Sequence, residues 1–170
     1  MARFPPPVFR IRIVFHAPLD YVFRWCTDYT RDDGKRAGAP FVRRVLQSDP
    51  SEIVLQDLWK SKDRWLLNQN RTLLFPPDRW HVDSYGTSRV LSLDYTLREL
   101  SAGRTQLDIR ARRRPREMYP GQPSRREYEP GLLDLWRGFA RSLDRDYRKR
   151  TGRENRPHAR GKRTGPRAMR

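Results

Sequence analysis

The end of the sequence has the pattern of a long amphipathic helix, from about Gly131 to Arg150. Glu129 and Pro130 suit its start, because an acid favours the positive end of a helix dipole and the first turn cannot pair the N–H that proline lacks. A helix of roughly 20 residues spans about 30 Å, so it needs a broad apolar surface to cover. Apolar side chains recur at spacings of three and four residues and share one face: Leu132, Leu135, Trp136, Phe139, Leu143 and Tyr147.

A strand and two helical segments are predicted at the start of the chain. In residues 8–16, apolar positions alternate with more polar ones, which predicts a strand with one buried side. The next residues predict a helix whose apolar face includes Val22, Phe23 and Cys26. Residues 30–38 are polar and favour a short second helix or an exposed connection.

Six further strands follow, and short turn sequences separate them. Connections this short join antiparallel neighbours. We therefore predict an α+β fold of order β-α-α-β6-α, in which about seven antiparallel strands form one sheet and residues 114–129 form a loop before the last helix. The six strands are predicted at residues 42–48, 53–59, 65–75, 80–85, 90–100 and 105–113.

Basic residues are concentrated at the end of the chain. The formal charge is +17 over 170 residues, and residues 148–170 contribute +9 of it, since ten lysines and arginines accompany one acid, Glu154. Hydrophobic residues make up 36% of the chain, as expected when a polar tail dilutes an ordinary domain. We expect an N-terminal extension at residues 1–7, one domain at residues 8–151, and a disordered basic tail at residues 152–170.

Cysteine and histidine usage argues against a metal centre. Cys26 is the only cysteine, and neither His16 nor His158 has a ligand-type partner at a useful spacing. We therefore expect no metal and no cofactor. The sequence shows no apolar signal segment and no apolar run of the roughly 18 residues that a membrane span needs, so the expected location is the cytoplasm.

The order of these elements resembles the helix-grip fold of the START-like, or SRPBCC, superfamily. Residues 17–29, APLDYVFRWCTDY, resemble the family's first helix, where a strand ends in Ala-Pro and the helix closes on Asp-Tyr. Residues 100–107, LSAGRTQL, are similar to its penultimate hairpin. The resemblance covers residues 8–150 and implies a curved sheet wrapped around the C-terminal helix, with a cavity for an apolar ligand. Members include lipid and sterol carriers, polyketide cyclases and aromatases, plant hormone receptors, and ubiquinone-binding proteins.

The leading hypothesis for function is binding of a hydrophobic small molecule or lipid between the sheet and the last helix, for transport or sensing and without catalysis. Large amphipathic side chains suit a ligand with rings or a long chain. Gln69 and Arg71 are candidates for contact with its polar end. The predicted ligand-binding residues are Trp59, Trp65, Leu67, Gln69, Arg71, Leu91, Leu93, Tyr95, Leu107, Ile109, Trp136 and Phe139.

A second hypothesis is a cyclase or dehydratase of the polyketide type. His81 and Asp83 share one face of their strand, so a His–Asp pair could enter the cavity as a general acid or base, and Tyr95 is a third catalytic candidate. The alternate residues of that strand are more apolar and favour the opposite orientation, with His81 outside: they are Trp80, Val82 and Ser84.

A third hypothesis is an accessory protein that associates with RNA or an anionic membrane through residues 148–170. Lysine and arginine bind phosphates with a salt-dependent release of counterions. This segment contains no Phe, Trp or Tyr, so it offers no stacking platform for bases. Arginines near the end of the last predicted strand would extend the basic surface: Arg110, Arg112, Arg113, Arg114 and Arg116.

Overall fold

The computed structural model of the protein describes residues 8–60, 62–101, 103–116 and 124–154. In these ranges seven strands form one curved antiparallel sheet in the order β1-β7-β6-β5-β4-β3-β2, accompanied by three helices. The predicted α+β helix-grip class is confirmed. The elements are β1 (Val8–Phe15), α1 (Leu19–Thr27), α2 (Asp33–Ala37), β2 (Phe41–Ser48), β3 (Glu52–Lys60), β4 (Trp65–Phe75), β5 (Arg79–Gly86), β6 (Arg89–Ser101), β7 (Arg104–Pro115) and α3 (Arg125–Glu154).

The hydrophobic core lies between the inner face of the sheet and helices α1 and α3. In β6 the buried positions alternate strictly with less buried ones from Leu91 to Leu97, because successive side chains of a strand point to opposite faces. Phe9, Phe15 and Leu107 are completely buried on the neighbouring strands. Leu143 of α3 is also completely buried, so the apolar stripe predicted for the last helix does face the sheet.

Helix α3 is longer than predicted at both ends. It begins at Arg125 instead of Gly131 and ends at Glu154. The prediction of a loop through residues 114–129 is therefore wrong for its last five residues, and also for residues 114 and 115, which belong to β7. Residues 1–7 and 155–170 lie outside the described residues, and the predicted extension and most of the predicted tail fall there. Despite its 30 residues, α3 is too polar to cross a membrane, and none of the other helices in the described part of the chain is long and apolar enough.

The early start of α3 has a capping explanation. The Ser124 backbone N–H donates a hydrogen bond to the Glu127 carboxylate at 2.7 Å, and the Ser124 carbonyl accepts one from the backbone N–H of Tyr128. The first of these bonds pairs an N–H that a helix start otherwise leaves without a partner, and the second is the first backbone hydrogen bond of the helix itself. Pro130 lies inside the helix, where it removes one backbone hydrogen bond near the start without ending the helix.

Two carboxylates of α3 attach the helix to β1, which is an edge strand of the sheet. The Arg10 backbone N–H donates to the Glu129 carboxylate at 2.9 Å. The His16 backbone N–H donates to Asp144 Oδ1 at 2.9 Å, and the His16 ring Nδ1 lies 2.8 Å from Asp144 Oδ2. Because edge N–H groups would otherwise lack protein partners, these contacts place α3 over β1.

Helix α2 packs against the middle of α3 at very short range. A Cβ atom at Gly138 would overlap the backbone of Ala37, so only glycine allows this approach. The Ser142 hydroxyl donates to the Arg36 carbonyl at 2.7 Å. Helix α3 is therefore fixed to β1 along one side and to α2 near its middle.

Candidate ligand-binding cavity

A cavity of about 660 Å³ lies between the inner face of the sheet and the three helices. Exposed residues form its rim, with Gly38 and Pro40 after α2 on one side and Glu127, Gly131 and Asp134 of α3 on the other. The cavity therefore opens to solvent between the α2–β2 connection and the first half of α3.

Aromatic rings form much of the cavity wall. Trp80 and Tyr95 stack with their ring centroids 4.7 Å apart and only 7° between their planes, and Trp136 of α3 lies 5.5 Å from Tyr95. Nearer to β2, Phe41 and Trp59 stack at 4.5 Å. Rings in this arrangement present both flat apolar faces and polar edges to a ligand.

A buried ion cluster lies at the end of the cavity formed by β2, β3 and β4. The Arg43 guanidinium donates to Asp33 at 2.6 Å and to both carboxylate oxygens of Asp57 at 2.7 and 2.8 Å. The Asn70 amide donates to Asp57 at 2.8 Å. Only 11% of the Arg43 side chain and 7% of each of the two carboxylate side chains are exposed. Breaking a buried ion pair costs about 3–5 kcal/mol of stability, so the contacts with Arg43 hold both carboxylates in place.

Burial suppresses ionisation of the neutral titratable groups on the wall. It raises the pKa of Tyr29 to about 12, although the Arg43 guanidinium lies 5.0 Å from the ring and opposes the shift. It also raises the pKa of Tyr95 well above the usual range, and the pKa of the Cys26 thiol. These groups are therefore neutral at physiological pH, and the two phenols act as hydrogen-bond donors or acceptors.

The inward face of β4 is polar, contrary to the sequence prediction. Asn68, Asn70 and Thr72 are buried and line the cavity, and Trp59 Nε1 donates to the Asn68 amide oxygen at 3.1 Å, with the amide oriented by its hydrogen bonds. The more apolar alternate positions of β4 predicted the opposite orientation, and that prediction is wrong. Those side chains are exposed on the outer face: Trp65, Leu67, Gln69 and Arg71.

The other predicted ligand-binding residues divide into two groups. Leu107 and Ile109 are buried in the core on β7, and the cavity lining does not include them. Contact of the remaining six with a ligand stays a prediction. The six that do line the cavity are Trp59, Leu91, Leu93, Tyr95, Trp136 and Phe139.

His81 and Asp83 lie on the outer face of β5, opposite the cavity, because the alternate residues of the strand point inward. His81 Nδ1 lies 2.7 Å from Asp94 Oδ1, and its Nε2 lies 3.1 Å from Asp83 Oδ1. The orientation with His81 outside, which the apolar residues of β5 favoured, is the observed one. Of the three catalytic candidates, Tyr95 is the one that lines the cavity.

Two arginines lie near the opposite end of the cavity from the ion cluster. Arg89 of β6 lines the cavity, and within the described ranges its buried Nε has no hydrogen-bond partner. Arg113 of β7 is close to it, since burial and the positive charge of Arg89 together lower the pKa of Arg113. Burial raises the pKa of Tyr128, and both guanidiniums act in the opposite direction, so the Tyr128 phenol lies near them as well.

The polar residues of the cavity were missed in the sequence analysis. One signal could have found part of the cluster, because Arg43 and Asp57 occupy facing positions of the β2–β3 hairpin and opposite charges often pair there. The polar lining residues that the sequence did not predict are Tyr29, Asp33, Arg43, Asp57, Asn68, Asn70, Thr72 and Arg89.

Among the residues that the structure describes, no three His, Cys, Asp or Glu side chains form a metal-binding group.

No protein-family profile and no curated protein matches the sequence. The comparisons that support the fold are therefore those with solved structures. Zhui aromatase/cyclase from Streptomyces sp. R1128 superposes with a TM-score of 0.66 at 14% identity, over 85% of this chain and 95% of that one. The di-domain ARO/CYC StfQ from the steffimycin biosynthetic pathway gives 0.67 at 15% identity, over 84% and 47% of the two chains.

A START superfamily protein from Mycobacterium smegmatis gives a TM-score of 0.63 at 10% identity, over 84% of this chain and 97% of that one. Superpositions at identities this low show a shared fold, and they do not show a shared activity. The order of the elements, the single antiparallel sheet and these superpositions agree with one another. The chain therefore has the START-like helix-grip fold.

Proposed function

We propose that the protein binds a hydrophobic small molecule or a lipid in the cavity between the sheet and α3. The observation that supports this most strongly is the cavity of about 660 Å³ with stacked aromatic rings in its wall. Small-molecule sites commonly occupy roughly 300–1,000 Å³ and combine apolar walls with a few fixed polar groups. Transport and sensing would both use such reversible binding.

Apolar contact in this cavity supplies useful affinity. Burial of about 200 Å² of apolar ligand surface contributes on the order of 5 kcal/mol before the losses of translational and rotational freedom are subtracted. The open rim between Pro40 and Gly131 offers the ligand a route to the wall. A ligand with fused rings would lie against the stacked pair of Trp80 and Tyr95.

The chemistry of the lining favours binding over catalysis. A cyclase or dehydratase requires a group that exchanges protons near neutral pH. Asp33 and Asp57 are held by Arg43, His81 lies on the other side of the sheet, and the raised pKa of Tyr95 makes this phenol a hydrogen-bonding group instead of a base. The cyclase alternative would therefore depend on Tyr95 alone among the catalytic candidates.

A fluorescence titration with 1-pyrenebutanol, a neutral probe with fused rings, tests the proposal. We expect saturable binding to the unmodified protein and binding weaker by at least about tenfold, or 1.4 kcal/mol, for Ser84→Phe. Ser84 is 5% exposed and lines the cavity from β5, so the new ring would occupy ligand volume.

The matched control is Gln69→Phe, which adds the same ring to the exposed outer face of β4 and should leave the affinity unchanged. Circular dichroism and the melting temperature would establish that both variants remain folded. Native mass spectrometry of gently purified protein would show any ligand retained from the host. Absence of saturable probe binding, or equal affinities for the Ser84→Phe variant and the unmodified protein, would contradict the proposal.

A further inference from the structure

A buried hydrogen-bond donor without an acceptor faces the cavity on β6. The Nε of Arg89 is buried and has no hydrogen-bond partner among the residues that the structure describes, and the Arg89 side chain lines the cavity. Buried donors nearly always have an acceptor, and a charged donor without one is especially unfavourable. An acceptor supplied by a ligand would remove this cost.

Arg113 adds a second positive charge beside this donor. In the β6–β7 ladder, Arg89 pairs with Pro115 and Leu91 pairs with Arg113, so the two arginines are diagonal neighbours on the inner face of the sheet. Diagonal positions of this kind lie roughly 7–8 Å apart, within reach of long side chains. Two guanidiniums at this range repel each other, and an anion bound between them would stabilise both.

The two acids that the described residues place on the rim have partners elsewhere. The Glu127 carboxylate accepts a hydrogen bond from the Ser124 backbone N–H at 2.7 Å, at the start of α3. The Asp134 carboxylate lies 3.1 Å from a guanidinium nitrogen of Arg137 on the outer side of the helix. The Tyr128 phenol, in contrast, lies near both arginines and offers a further hydrogen-bond donor.

We propose that the ligand carries a carboxylate and that Arg89 binds it, with Arg113 and Tyr128 beside it. This inference rests on the proposed function, because it assigns a chemical class to the ligand of the same cavity. Arginine suits the role, since its planar guanidinium presents two parallel N–H groups that match the two oxygens of a carboxylate. The apolar body of the ligand then lies along Leu91 and Tyr95 of the same strand.

The ion cluster at the other end of the cavity sets the direction of the ligand. Arg36 continues this cluster, since its Nη1 lies 3.3 Å from Asp33 and 3.0 Å from Asp28. Counted together with Arg43 and Asp57, these three acids and two guanidiniums carry an excess of one negative charge. β3 and β6 are separated by three inter-strand spacings, or about 14 Å. A carboxylate is repelled at the β3 end and attracted at the β6 end, so the acid group points towards Arg89.

Paired titrations with 1-pyrenebutyric acid and 1-pyrenebutanol at pH 8 test the inference, because the two probes differ in the acid group. We expect the unmodified protein to bind the acid roughly tenfold more tightly than the alcohol, as a charge-assisted hydrogen bond to a carboxylate predicts. In Arg89→Gln this preference should disappear, so that the variant's affinities for the acid and the alcohol agree within about twofold. Arg89→Lys keeps the charge without the paired N–H groups and should retain part of the preference.

The control variant is Arg114→Gln, which removes a positive charge from the same end of β7 but on the exposed outer face. It should keep the full preference for the acid. Equal affinities of the unmodified protein for the two probes would overturn the carboxylate site and leave the proposed function standing. A preference that survives in Arg89→Gln would also overturn it. Failure to bind either probe would instead refute the proposed function, and this inference with it.

Discussion

At the scale of single residues, the outer face of β5 and β6 holds a titratable group that the cavity does not use. His81 lies between Asp83 and Asp94, Arg112 Nη1 lies 3.5 Å from Asp94 Oδ2, and the Ser92 hydroxyl lies 3.5 Å from His81 Nε2. Burial alone would lower the pKa of His81, but the hydrogen bonds that the ring donates to the Asp94 and Asp83 carboxylates outweigh it and raise the pKa above its usual value of 6.5.

This raised pKa predicts a defined pH dependence of stability. The folded protein binds the His81 proton more tightly than the unfolded chain, so the stabilisation is complete below pH 6.5 and is lost as the pH rises through the folded-state pKa. In urea unfolding, the free-energy difference between the unmodified protein and His81→Gln should therefore be larger at pH 6 than at pH 9. NMR titration of the His81 ring should give a midpoint above 6.5, and Asp94→Asn should lower it. A difference that grows with pH would contradict this account.

At the scale of elements, the periodicity of side chains predicted nearly all strands and helices. The predicted strand at residues 90–100 corresponds to β6, Arg89–Ser101, because burial on one face alone produces a period of two. The orientation of β4 was not predicted, since a polar cavity wall reverses the usual rule that the more apolar face points inward. Asn70 faces inward because it donates to Asp57 on the neighbouring strand, a partner that β4's own sequence does not show.

The start of α3 illustrates a second limit of the sequence analysis. Pro130 suits a helix start and predicted one at Gly131. The structure places the start at Arg125, where Ser124 and Glu127 pair with each other. The sequence therefore held two start signals within six residues. Extending the helix past Pro130 loses one backbone hydrogen bond. That loss is smaller than the stabilisation gained from the capping interactions and from the packing of Tyr128 against Phe9, whose ring centroids lie 4.5 Å apart.

Two glycines of α3 should respond in opposite ways to the same substitution. At Gly138 an added Cβ would overlap the Ala37 backbone, so Gly138→Ala should lower the free energy of unfolding by about 1–3 kcal/mol as α2 is displaced. At Gly131 an added Cβ meets no atom of the described residues within 4 Å, so Gly131→Ala should raise the free energy of unfolding by up to about 1 kcal/mol through helix propensity. Urea unfolding measures both values. Equal effects of the two substitutions would show that α2 and α3 do not approach as closely as described.

At the scale of the whole molecule, the attachments of α3 determine where the cavity opens. Glu129 and Asp144 fix the helix to β1 at one edge of the sheet, and Gly138 fixes its middle to α2. The β2, β3 and β4 side of the sheet lies at the other edge, where the first half of α3 has no comparable polar attachment among the hydrogen bonds of the described residues. The rim accordingly lies there, and the ion cluster of Arg43 stabilises the wall beneath it.

Charge is the other property of the whole molecule, and it leads to a test of the third hypothesis. Truncation after Glu154 removes six positive charges and no negative one, which leaves +11 of the original +17. If residues 155–170 bind RNA phosphates, the truncated chain should lose much of its affinity for single-stranded RNA. The slope of log K against log salt concentration should then become shallower by about 4, because each phosphate contact on a single strand contributes about 0.7.

Pyrenebutanol affinity and the urea midpoint should not change in the truncated chain, since the described contacts of α3 with β1 and α2 lie before residue 154. Filter binding of a labelled oligonucleotide between about 50 and 200 mM salt covers the range in which such contacts weaken most. An unchanged slope after truncation would contradict a role for the tail. It would direct attention to the exposed arginines of β1 and β7, where Arg10 and Arg110 face each other across the ladder.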